Sequence, residues 1–145
     1  MADFKDSGCT TFYDNIMNTL KDLDVVILVN NVGTNIPKEL TELSPQEIID
    51  IINVNCVGMT VLSSLLIPKL LKRTFKSAII NLSSAAANVP LPYITLYSAT
   101  KSYNTFISEG MALENPRLDI LSVKPMFVES PLSKAKKGFF VPDRN

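Results

Sequence analysis

Tyr97 and Lys101 stand four positions apart in the stretch Tyr97-Ser-Ala-Thr-Lys101, a spacing that puts both side chains on one face of a helix. An ammonium beside a phenol favours the phenolate, which makes a tyrosine a usable proton donor and acceptor near neutrality. By itself the pair is a common accident of helix surfaces. Its neighbours add weight. Ser83-Ser84 ends one short apolar run and Asn30-Asn31-Val32-Gly33 ends another. In an open parallel sheet both ends would lie along the same edge, the one that binds ligands. Gly33, having no side chain, allows main chain to approach a ligand closely there. A hydroxyl, an acid–base pair and a glycine turn thus converge on one edge.

Composition removes several other chemistries. The 145 residues contain no histidine, so histidine triads, histidine bases and histidine-containing metal sites are excluded. Two cysteines, Cys9 and Cys56, are too few for a cysteine-only zinc site or a disulfide framework, so no metal site and a reducing intracellular setting are expected. Fourteen basic residues balance fourteen acidic ones without forming a stripe, and nucleic acid is not an expected partner. The five glycines, Gly8, Gly33, Gly58, Gly110 and Gly138, lie too far apart for any glycine-rich phosphate loop. No apolar leader stands at the N-terminus. The most apolar stretch, Val54 to Leu71, is interrupted by Asn55, two serines, Pro68 and Lys69, so no membrane span is expected.

The elements that must position these residues can be read from periodicity and punctuation. Asp24 to Asn30 and Ser77 to Ser83 are continuous apolar runs, the pattern of parallel strands covered on both faces. Leu118 to Val123 is a weaker third. Ser44-Pro45-Gln46-Glu47 forms a capping box with proline at the first helical position, predicting a helix from Pro45. That helix should bend near Asn53 to Asn55 and resume to about Leu71. Further helices are expected over about Thr10 to Leu20 and Ile94 to Glu114, the latter stopped by Asn115-Pro116. The alternation predicts an α/β fold: a partial doubly wound, Rossmann-like parallel sheet of about three strands with helices on both faces. The tail from Pro131 to Asn145 reads as a loop or short helix.

Taken together, the ordered motifs resemble the short-chain dehydrogenase/reductase family. Asn30-Asn31-Val32-Gly33 is similar to its N-N-A-G motif and Asn55-Cys-Val-Gly58 to its N-x-x-G. Ser84 matches its active serine, and Tyr97 with Lys101 its Y-x-x-x-K. Lys124 to Ser130 resembles the segment after the sixth strand, with Met126 in place of glycine and Ser130 in place of threonine. Within the family, the valine in Asn30-Asn31-Val32-Gly33 and the Lys-Lys-Gly-Phe-Phe tail look most like the 3-ketoacyl-CoA reductase and 17β-hydroxysteroid dehydrogenase branch. Ala2-Asp3-Phe4 resembles the end of the family's third strand.

The resemblance implies NAD(P)H-dependent reduction of a carbonyl, with a 3-ketoacyl-CoA or ketosteroid-like, lipid-like ketone as substrate. Ser84 would bind the carbonyl oxygen, Tyr97 would deliver the proton, and Lys101 would assist Tyr97 and hold the nicotinamide ribose. Asn55 would support a proton relay through its backbone carbonyl. Asp3, Asn30, Gly33, Pro125, Val128 and Ser130 would line NADP or NAD, with NADPH favoured. It also implies that residues 1–145 are the central and C-terminal portion of the domain, lacking the N-terminal phosphate-binding unit. An endoplasmic-reticulum membrane location follows from the branch. The strand at Asp24 to Asn30 would then present an open edge, to be covered by a homo-oligomer or a partner chain. The alternative reading is a non-catalytic fragment or structural subunit of a larger assembly.

Overall fold

Residues 2–126 are described in the computed structural model. Val128, Ser130 and the tail from Pro131 lie outside them. The chain begins with a short 3-10 turn, Phe4–Gly8, then α1 (Thr10–Leu20), β1 (Ile27–Asn30) and α2 (Pro45–Ile52). A π-helical turn, Asn53–Val57, joins α2 to α3 (Gly58–Leu71), followed by β2 (Ala78–Leu82), α4 (Thr95–Glu114) and β3 (Asp119–Val123).

Local chemistry accounts for the boundaries. Ser44 Oγ accepts from the Glu47 amide at 3.2 Å while Glu47 Oε2 accepts from the Ser44 amide at 2.8 Å, so the expected capping box starts α2 with Pro45 in its first turn. The bend expected near Asn53 is the π-helical turn, in which the Gly58 amide reaches back to the Asn53 carbonyl. Such a turn inserts a residue without breaking the helix. β1 is shorter than the expected Asp24 to Asn30, because the Val25 amide turns back onto the Leu23 carbonyl at 3.1 Å.

The strands form one parallel sheet in the order β1-β2-β3. Ile27 pairs with Ala78 and Asn30 with Asn81, while Ala78 pairs with Asp119 and Leu82 with Val123. On one face, Leu66 and Leu70 of α3 pack with Ile79 and with Leu118, and Met17 and Leu20 of α1 close against the same cluster. The expected parallel, helix-flanked sheet is therefore present. Its cover differs in one respect. On the opposite face Ile27 and Val29 remain 53% exposed, Leu121 54% and Val123 40%, so among the described residues the helices gather on a single face. Consecutive strand order with right-handed crossovers requires this, since each crossover then returns on the same side.

Pro45–Leu71 is a continuous 27-residue helical stretch containing an 18-residue window of mean hydropathy 1.7, long and apolar enough by composition to cross a membrane. This departs from the expectation drawn from its polar interruptions, none of which breaks the helix. Half of its apolar window is buried against the rest of the chain.

Candidate active site

The C-terminal ends of β1 and β2 open toward the first turns of α4, and the expected residues meet there. Lys101 is only 4% exposed. Its Nζ donates to the Leu82 carbonyl at 2.7 Å and lies 5.6 Å from the centre of the Tyr97 ring, within range of a cation–π contact. Burial pushes the Lys101 ammonium below the usual lysine range, with a smaller opposing contribution from Cys56. Burial likewise pushes the Cys56 thiol up to about 11, against a smaller opposing effect of Lys101, so Cys56 is a core thiol.

Gly33 belongs to the same cluster. A Cβ there would stand 3.4 Å from Lys101 Nζ and 3.6 Å from Asn55 Oδ1. The loop thus lies in van der Waals reach of both side chains. Asn55, 1% exposed in the π-helical turn, clamps the next residue from both sides. Its Oδ1 accepts from the Thr34 amide at 2.8 Å and its Nδ2 donates to the Thr34 carbonyl at 2.9 Å. The same Nδ2 donates to Thr100 Oγ1 at 3.0 Å, tying the loop to the helix that carries Tyr97 and Lys101.

Ser84 is half-buried at the end of β2, where its Oγ accepts from the Ala86 amide at 3.1 Å and starts a 3-10 turn, Ala85–Ala87. Among the described residues the Ser84 hydroxyl donates to no acceptor. Pro125 is bonded to this turn, its carbonyl accepting from the Ala85 amide at 2.9 Å. Tyr97 is half-buried in a shallow depression of mixed lining, with Ile36, Leu43 and Ile51 beside Asn35, Lys38 and Thr95. Tyr93 holds a left-handed backbone conformation, φ 63°, and its carbonyl accepts from the Lys38 amide at 2.9 Å. A bulky residue at positive φ is strained, a feature that collects at functional sites.

Two expected cofactor residues sit elsewhere. Asn30 turns into the sheet–helix interior, its Nδ2 donating to Asn81 Oδ1 at 2.7 Å and to Ser63 Oγ at 3.1 Å. Asp3 caps the 3-10 turn Phe4–Gly8, accepting from the Lys5 amide at 3.1 Å, and Ala2-Asp3-Phe4 pairs with no strand among the described residues. Sequence reasoning passed over Thr34, Thr100, Ser83 and the Leu82 carbonyl. Small hydroxyls and main-chain acceptors carry no diagnostic spacing.

A parallel three-stranded sheet flanked by helices, with Tyr97, Lys101 and Gly33 gathered at the strands' C-terminal edge, defines a partial Rossmann-like α/β fold. The family model described as short chain dehydrogenase matches residues 2–138, and the chain belongs to that family. Very-long-chain 3-oxoacyl-CoA reductase-B of Danio rerio is 33% identical over 138 residues, covering 91% of this chain and 44% of that protein. The very-long-chain 3-oxoacyl-CoA reductase of Mycosarcoma maydis is 35% identical over 130 residues, covering 87% and 37%. The chain thus spans less than half the length of these relatives. Among solved structures, 3-ketoacyl-(acyl-carrier-protein) reductase from Brucella melitensis complexed with NADH is 25% identical with TM-score 0.76, covering 92% of this chain and 57% of that one. A short-chain dehydrogenase from Sphingobium yanoikuyae in complex with NADPH shares the fold, with TM-score 0.81 at 24% identity over 90% of this chain and 51% of that one.

Proposed function

We propose that the protein containing this chain reduces the carbonyl of a lipid-like ketone, of the 3-ketoacyl-CoA or ketosteroid type, with NAD(P)H as hydride donor. The observation that carries this reading is the placement of Lys101, its ammonium buried between the Leu82 carbonyl, the Tyr97 ring and the Gly33 loop. Structural ion pairs are normally solvated; a buried lysine aimed at a tyrosine at the ligand edge suits proton transfer. In this reading Ser84 Oγ donates to the substrate oxygen and Tyr97 gives that oxygen its proton. The Lys101 ammonium stabilises the phenolate left behind. Asn55 holds the Thr34 loop against this pair. The nicotinamide cofactor supplies hydride when bound. In this reading Gly33, Pro125, Tyr97, Lys101, Val128 and Ser130 line it.

The reading extends to the setting. Residues 1–145 form the central and C-terminal portion of a catalytic domain whose phosphate-binding unit is supplied by further polypeptide, supported by the chain's coverage of 44% of the Danio rerio relative. That polypeptide, a partner or a second copy covers the open edge of β1 and the bare sheet face. NADPH is the favoured cofactor, and the location is a reducing compartment at the endoplasmic-reticulum membrane; the free thiols Cys9 and Cys56 and the branch resemblance support this.

A second reading, a non-catalytic subunit, is favoured by one observation: the five scattered glycines offer no backbone cradle for a pyrophosphate. Calorimetric titration of the 145-residue chain with NADPH bears on both. The chain by itself is expected to bind with a dissociation constant weaker than about 1 mM, a free energy smaller than about 4 kcal/mol. Low-micromolar binding would show that the chain holds the pyrophosphate with residues other than glycines. NADPH consumption by the native protein with a 3-ketoacyl thioester or a ketosteroid then separates the readings, since a subunit without chemistry consumes none.

A further inference from the structure

Lys101 is gripped at both ends by consecutive residues, the last of β2 and the one that follows it. Its ammonium donates to the Leu82 carbonyl at 2.7 Å. Its main-chain carbonyl accepts from Ser83 Oγ at the same 2.7 Å. Ser83 Oγ also contacts Thr105 Oγ1 at 2.8 Å, and Thr105 Oγ1 in turn donates to the Lys101 carbonyl at 3.2 Å. Ser83 is itself fixed, 3% exposed, with its amide donating to the Val123 carbonyl of β3 at 2.8 Å. The next residue is Ser84.

The geometry points to Ser83 as a positioning residue that sets the height of α4 on the sheet, so that Tyr97 and Lys101 meet the Ser84 hydroxyl at one point. A helix packed only by apolar contacts can slide or roll by fractions of an ångström, and acid–base groups tolerate little of that. A buried hydroxyl bonded to a helix carbonyl removes the freedom at the one turn that matters. Residues 82, 83 and 84, the last of β2 and the two that follow it, thereby divide the work: one holds the ammonium, one holds the helix, one presents the hydroxyl. Two further serines tie this helix: Ser102 Oγ donates to the Ala87 carbonyl of the half-buried 3-10 turn at 2.7 Å, and Ser108 Oγ, two turns beyond Lys101, accepts from Asn81 Nδ2 of β2 at 2.8 Å.

This assignment rests on the proposed role of Lys101 and Tyr97, and its test is independent of turnover. Competitive amine labelling read by mass spectrometry gives the reactivity of each lysine against pH and tolerates an associated protein. In the full chain, Ser83→Ala is expected to raise Lys101 labelling roughly tenfold, the scale of one buried hydrogen bond, and to move the midpoint of its pH profile. Lys69, whose Nζ donates to the distant Leu20 carbonyl at 2.6 Å, should be unchanged, and Ser83→Thr should restore Lys101 to the wild-type profile. An unchanged Lys101 profile in folded Ser83→Ala, or no rescue by threonine, overturns the assignment. Should Ser83→Ala expose Lys69 as well, the chain has unfolded and the near-isosteric Thr105→Val decides. A smaller rise at Lys101 alone then supports the grip, and none overturns it. Absence of NADPH turnover in the native protein would sink the reductase reading while leaving these labelling results standing.

Discussion

The lysine at the centre of the site costs the fold something. A buried ammonium with one carbonyl partner is only partly repaid for lost water, and its pKa falls below the usual lysine range. Between that lowered value and the ordinary one, the unfolded chain binds the extra proton. Stability therefore rises with pH across this alkaline window. Lys101→Met removes that contribution. Urea unfolding of wild type and Lys101→Met across the alkaline range should show wild type gaining on the variant as pH rises, with the largest deficit at neutral pH. A constant difference would mean that Lys101 is not desolvated as the structure shows. Tyr97, Lys101, Ser84 and Gly33 were singled out from type and spacing, because few residue types suit proposed proton transfer and close main-chain approach, whereas Asn55 was named by the family resemblance alone. Asn30 was read as facing the ligand. Its inward turn could have been found from alternation, since Leu28 and Asn30 share a face opposite Ile27 and Val29.

Helix starts and stops are local and were readable: the capping box at Ser44, proline at position 45 and the Asn115-Pro116 stop all act within a few residues. The π-helical turn at Asn53–Val57 was visible only as a bend, because what stabilises it is distant. Asn53 Nδ2 donates to the Lys5 carbonyl at 3.1 Å, and the Asn53 carbonyl accepts from Ser7 Oγ at 2.8 Å. Gly58, which ends the turn, is packed against the same N-terminal segment, and a Cβ there would come within 2.4 Å of the Phe4 ring. Gly58→Val is therefore expected to destabilise the chain by about 1–3 kcal/mol through overpacking. Thermal unfolding measures it, with Gly110→Ala as control, since nothing lies within 4 Å of a Cβ at that position. Equal stability of Gly58→Val and wild type would show that the Phe4 segment does not pack there.

At the scale of the molecule, continuous apolar strands announced a sheet meant to be covered twice, and the described residues cover it once. The sequence could not reveal this, because an apolar run reads the same whether its cover lies in the same chain or beyond it. β1 is an edge strand among the described residues, and beside it lies a face carrying Ile27, Val29, Leu121 and Val123. An apolar face beside an unpaired edge invites association. The isolated chain should self-associate in light scattering, with the outward amides of Ile27 and Val29 protected only in the associated form and that of Leu28, which faces β2, protected in both. A soluble monomer with the Ile27 and Val29 amides strongly protected would contradict this. The central claim, that Tyr97 completes a hydride transfer to a carbonyl, is tested most directly with C4-deuterated NADPH and a 3-ketoacyl thioester in the native protein. Deuterium should appear on the carbinol carbon. Tyr97→Phe, which keeps the ring and removes the proton donor, should lower the rate of label transfer by roughly 10²- to 10⁴-fold. Undiminished transfer in folded Tyr97→Phe, or no transfer in wild type, would contradict the account.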